Sequence, residues 1–177
     1  MGKGKKREKR GLVRQQTNDS THTLSWVTPP HELDDTYLKI SFRYFINEYI
    51  QSKRFNNCFK DSKHCSEFMH NAHLLLMELS NKSKNEVLNS GYKSQMHMHP
   101  LEGDALSIFM GIAGQLTSQL ETSSFYQIKT NSVADGRVVF YLKGNTIYVL
   151  LYDPNHLFYP DQKHGSKQAL KHSYSPS

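Results

Sequence analysis

The clearest pattern along the chain is the apolar run of residues 136–152. In GRVVFYLK (136–143) and TIYVLLY (146–152), nearly every position from Val138 to Leu142 and from Ile147 to Tyr152 is apolar. A half-exposed strand alternates apolar and polar positions, whereas a continuous run of β-branched and aromatic residues marks a strand covered on both faces. Gly144-Asn145 between the runs predicts a tight hairpin. Upstream, YLKISFRYFI (37–46) alternates as a strand with one buried side, and FYQIKTN (125–131) reads as another. SEFMHNAHLLLMELSN (66–81) has helical spacing, with Phe68, Ala72, Leu75, Leu76 and Leu79 on one stripe and Ser66 as N-cap. SKNEVLNSG (83–91) predicts a short helix, with Ser83 and Glu86 in capping-box register and Gly91 as its stop. Residues 101–121 fit a helix through Leu106, Phe109, Met110, Ala113, Leu116 and Leu120, although Gly103, Gly111 and Gly114 weaken it by up to about 1 kcal/mol each.

The order β-α-α-β-β-β predicts an α+β domain over residues 31–160, with helices packed on one face of a small, mostly antiparallel sheet. Residues 1–30 are polar and read as a flexible basic arm, and 161–177 as a flexible tail. Charge sharpens that division. Residues 1–14 carry seven Lys/Arg and one Glu, so the net +6 of the 177-residue chain resides there and the remainder is neutral. Such a block either solvates the chain or touches phosphates, with Lys3, Lys5, Lys6, Arg7, Lys9 and Arg10 as the candidate RNA contacts. The basic start runs into QQTNDSTHT rather than an apolar segment, and no stretch has the apolar length of a membrane span. With only Cys58 and Cys65, a disulfide framework is excluded. A cytoplasmic protein without a membrane association is expected.

In its element order, and in YQIKTNSVADGRVVFYLKGNTIYVLLY, the chain resembles the RelE/ParE-like toxin superfamily over roughly residues 37–159. The closing GRVVFYLKGNTIYVLLYDPNHLFYP also resembles an uncharacterised bacterial and prophage group. Its members share a Gly-Arg-Val hairpin and an Asp-Pro-x-His-x-x-Tyr close. The toxin resemblance implies an RNA-binding endoribonuclease that cuts translated mRNA without a metal or cofactor, and a neighbouring antitoxin as partner. It places Arg137 at a phosphate-binding position, and His156 and Tyr159 at catalytic acid/base positions.

Residue chemistry agrees in part. A histidine titrating near neutrality at a sheet end can move a proton from a 2′-hydroxyl, and a guanidinium can hold the phosphate. The same residues also make a turn and a surface ion pair, with Asp135 or Asp153 facing Arg137 and Pro154 ending the strand. His97 and His99 form an H-x-H pair near Glu102 and Asp104, half of a metal site or a plain loop. Cys58, His64, Cys65, His70 and His73 lack the spacing of a zinc knuckle and read as helix surface and buried thiol. No phosphate loop, dinucleotide fingerprint or serine-nucleophile elbow is present. The neutral domain and its many aromatics support a second reading, a non-enzymatic prophage or defence module that docks a protein partner.

Overall fold

The structure, a computed structural model, describes residues 36–52, 54–114, 116, 120, 124–130 and 136–159. The basic arm and the C-terminal tail lie outside the described residues. The elements run β1 (Lys39–Ser41), α1 (Ser62–Ser80), α2 (Lys84–Leu88), α3 (Ser90–Gln95), β2 (His99–Pro100), α4 (Gly103–Ala113), β3 (Tyr126–Lys129), β4 (Arg137–Lys143) and β5 (Thr146–Asp153). The strands form one sheet in the order β1-β5-β4-β3-β2, antiparallel throughout except for the parallel β1–β5 pair. This is an α+β fold with a mostly antiparallel sheet.

The predicted hairpin is the centre of the molecule. Residues Arg137 to Tyr141 are buried without a break, and Gly144 turns the chain at φ 58°. The β4–β5 register runs from Lys143 opposite Thr146 to Arg137 opposite Asp153, with a bulge between Val139 and Phe140. Alternation sends Val138, Phe140, Ile147 and Val149 to one face, where they pack on the α1 stripe of Phe68, Ala72, Leu75 and Leu79. It sends Val139, Tyr141 and Leu151 to the other face, against Phe109 and Ala113 of α4. The helices therefore divide between the faces, which is why both strands read as continuously apolar.

Helix boundaries shift where a polar residue competes for the cap. The N-cap of α1 is Asp61, whose carboxylate accepts from His64 N at 2.8 Å, so the helix begins a turn before Ser66. The Ser83/Glu86 capping box forms as expected. Asn89, however, ends α2 and caps α3 by accepting from Gly91 N at 2.8 Å, which leaves Gly91 inside a helix rather than after one. Gly114, at φ 50°, closes α4 well before residue 121. The alternating segment 37–46 keeps only three residues as strand. Phe45 N then donates to Phe42 O and Ile46 N to Leu150 O, folding the chain around the sheet edge. That bend puts Tyr44 against Tyr148, ring centroids 5.5 Å apart, and Phe45 against Tyr152 at 4.9 Å. The alternation is satisfied by opposite sheet faces rather than by one longer strand.

Candidate functional site

The polar corner after β5 is built on Asp153. The side chain is fully buried, its Oδ1 accepts from Leu157 N at 2.9 Å, and its Oδ2 accepts from Phe158 N at 3.1 Å. Burial raises its pKa to about 6, opposed by the backbone N–H groups of Leu157, Phe158 and Asn155 and by the Arg137 charge. Pro154 ends the ladder, and Asn155 Nδ2 donates to Cys58 O at 2.9 Å, tying the corner to the segment before α1. Leu157 and Phe158 then turn inward, with the Phe158 ring tilted against Phe55, centroids 4.5 Å apart. The Asp-Pro-Asn-His sequence thus forms a carboxylate-capped turn that anchors two apolar side chains.

Arg137 begins β4 directly opposite Asp153. It is only 6% exposed, and its Nη1 donates to Gly136 O at 3.1 Å, an oxygen that also accepts from the N and Oγ1 of Thr130. The guanidinium is held among buried groups, and its charge is felt by the Asp153 carboxyl across the strand pair; Asp135, the other partner weighed from the sequence, lies outside the described residues.

His156 sits at the tip of the corner, half-buried, with φ 54°. Tyr159 lies beyond it and reaches another part of the chain. Its hydroxyl donates to Pro100 O and accepts from Glu102 N, both at 2.9 Å, and its ring meets His99 edge-on at 4.7 Å. His99 Nε2 is 2.7 Å from Gln127 Nε2, and its Nδ1 is 3.2 Å from Pro100 O. One consistent assignment places the ring proton on Nδ1, which donates to Pro100 O, while Nε2 accepts from the Gln127 amide. The Tyr159 hydroxyl is a strap joining the C-terminal corner to the start of α4. Tyr159→Phe is expected to cost about 1–2 kcal/mol, because the half-buried ring stays but two hydrogen bonds go; chemical denaturation measures it.

Of the three candidate catalytic residues, the structure sets Arg137 opposite Asp153 across β4 and β5, Tyr159 against His99 and Pro100, and His156 at the turn's tip. The six candidate RNA contacts in the arm, Lys3 to Arg10, lie outside the described residues. His97 is exposed at φ 45°, Asp104 pairs with Arg54 at 3.0 Å, and the Glu102 backbone holds Tyr159. Among the described residues, no group of three or more His, Cys, Asp or Glu is placed to hold a metal ion.

A feature that the sequence reading passed over lies between β1 and α1. An open cavity of about 770 Å³ runs between β1 and α1, lined by Leu38, Ile40, Phe42, Met69, Met77 and Tyr152 among others. Met69 and Tyr152 also line a second cavity of about 960 Å³, which continues past Phe45, Tyr49, Phe59 and Cys65. The signal was present in α1: Met69, His73 and Met77 recur at i, i+4 and i+8, beside the buried stripe but off it. Tyr152 lines both cavities. Its ring packs on Phe45 and Phe68, and burial raises its hydroxyl above the usual phenol range.

Among the described residues, no helix is long and apolar enough to cross a membrane. The fold and its two sites define a small α+β domain with a capped β-hairpin core and an open apolar groove. The profile of the family described as uncharacterised protein UU032 matches residues 41–177, and the chain belongs to that family. No curated protein and no solved structure matches it.

Proposed function

We propose that this domain is a non-enzymatic interaction module of the cytoplasm that docks a protein partner through the groove between β1 and α1. One observation carries the reading. Tyr37, Phe42, Met69 and Met77 are 50%, 49%, 42% and 51% exposed, and all four line one cavity. Single exposed apolar side chains are ordinary, but a contiguous set around a concavity marks an interaction surface. The polar corner supports the same reading by contrast: its carboxylate, its guanidinium and the Tyr159 hydroxyl are engaged in holding the fold together.

The RNA-directed, toxin-like reading keeps one supporting observation, the +6 charge of residues 1–14. One experiment separates the two. His156→Ala and Phe42→Ala are compared in cells for new RNA 5′ ends and, as tagged proteins, for partner capture. The docking module predicts no new ends, capture unchanged in His156→Ala, and capture reduced at least about tenfold in Phe42→Ala, the scale of an interface hot spot. New ends at translated codons that vanish in His156→Ala would overturn it in favour of the nuclease.

A further inference from the structure

Building on the docking reading, we infer that the partner in this groove is a second copy of the chain, the two α1 helices packing antiparallel about a twofold axis at His73. The first argument is area. Tyr37, Phe42, Met69 and Met77 line the groove, and Leu74, exposed to a similar extent, extends the apolar surface one position round α1. A half-exposed large side chain presents on the order of 100 Å², so these five expose roughly 500 Å² on one copy. Two copies set together bury about 1,000 Å² from these residues alone, the size at which a specific interface begins.

The second argument is self-complementarity. In a twofold interface one patch must fit itself, so a patch of one charge sign repels its own copy. The charges that flank this surface on α1 are paired within the chain: Lys63 Nζ lies 3.8 Å from Glu67, and Lys82 Nζ lies 3.9 Å from Glu78. Lys39, which also lines the groove, has a partner within the chain as well. Outside residues 1–14 the chain is neutral, so two domains approach without mutual repulsion.

The third argument is the pattern on the helix. Met69, His73 and Met77 stand four residues apart on α1, and the row reads the same from either end. Such an i±4 row is the ridge on which a second helix packs, with axes about 8–10 Å apart. Antiparallel packing centred on His73 brings Met69 of each copy to Met77 of the other, and it opposes the two helix dipoles. The unbranched methionine side chains adapt both to each other and to the trough beside them.

Sedimentation velocity of the full chain, treated with nuclease, tests this as mass against concentration. The expected result is a rise from one chain to two, while Met77→Glu, shown to be folded by circular dichroism, stays at one. Phe42→Ala should raise the dimer dissociation constant at least about tenfold. Met69→Cys and Met77→Cys, each in a Cys58→Ala, Cys65→Ala background that still dimerises, should form mixed disulfide pairs when combined under mild oxidation. One-chain mass at every concentration overturns the inference, and the docking reading is then judged on the Phe42→Ala capture comparison alone. A dimer that survives Met77→Glu lies on another face and overturns the inference too. Cross-linking of Met69→Cys to itself in place of the mixed pair overturns the antiparallel arrangement. Masses above two chains overturn closure about a twofold axis.

Discussion

Asp153→Ala is expected to destabilise the domain by about 2–4 kcal/mol, the scale for leaving two buried N–H groups without their acceptor. The substitution strips acceptors from Leu157 N and Phe158 N and removes the carboxylate that lies opposite Arg137 in the register. Asp153→Asn should cost less, because one oxygen remains, but its amide nitrogen meets a backbone donor. The two variants also separate the pH behaviour. The folded Asp153 titrates near 6, above the usual aspartate value, because burial outweighs its hydrogen bonds and Arg137. Between about pH 4 and pH 6 the folded state therefore holds a proton that the unfolded chain releases. Stability from this group is greatest below that window, falls as pH rises through it, and is level above. The span is on the order of 3 kcal/mol. Urea denaturation of the wild type and Asp153→Asn across pH 4.5–7.5 measures it as the difference between the curves, and parallel curves would sink the account.

Gly136→Ala is expected to cost about 3 kcal/mol, the upper end of the overpacking range. A Cβ at this position would lie 2.6 Å from Cε2 of Phe68 and 3.2 Å from Oγ1 of Thr130. Phe68 cannot withdraw: it is fully buried, with Phe59 5.5 Å and Tyr152 5.3 Å from its ring centroid. The glycine is therefore required by close approach of a ring, not by an unusual dihedral. Shortening that ring relieves the clash, so Phe68→Leu should harm Gly136→Ala less than it harms the wild type. A coupling of at least about 1 kcal/mol in the double-mutant cycle is the expected result, and simple additivity would remove the explanation.

The central hairpin was legible in the sequence because local signals and tertiary environment agree there: continuous apolar runs, a Gly-Asn turn and burial on both faces. The α1 stripe and the Ser83/Glu86 box were legible for the same reason. What the sequence hid depends on partners distant in the chain. The burial of Arg137 follows from a register that sets Asp153 opposite it and Thr130 beside it. Tyr159 could not be read as a strap, because Pro100 and Glu102 reach it only through β2, a two-residue strand with no sequence pattern of its own. The start of α1 was missed because Asp61 outcompetes Ser66 as a cap. The groove was legible only as the Met69, His73, Met77 row, since its opposite wall is a three-residue strand from far upstream.

That opposite wall has a consequence for assembly. Among the described residues β1 joins the sheet by pairing in parallel with β5, and long-range parallel pairing of this kind is intrinsically slow to form. Until β5 is in place, Phe42 and Ile40 have no sheet edge on which to stand, and α1 alone offers a ridge without a trough. During synthesis the cleft is thus absent until the whole hairpin has emerged, so a partner docking there, as proposed above, would meet only finished chains.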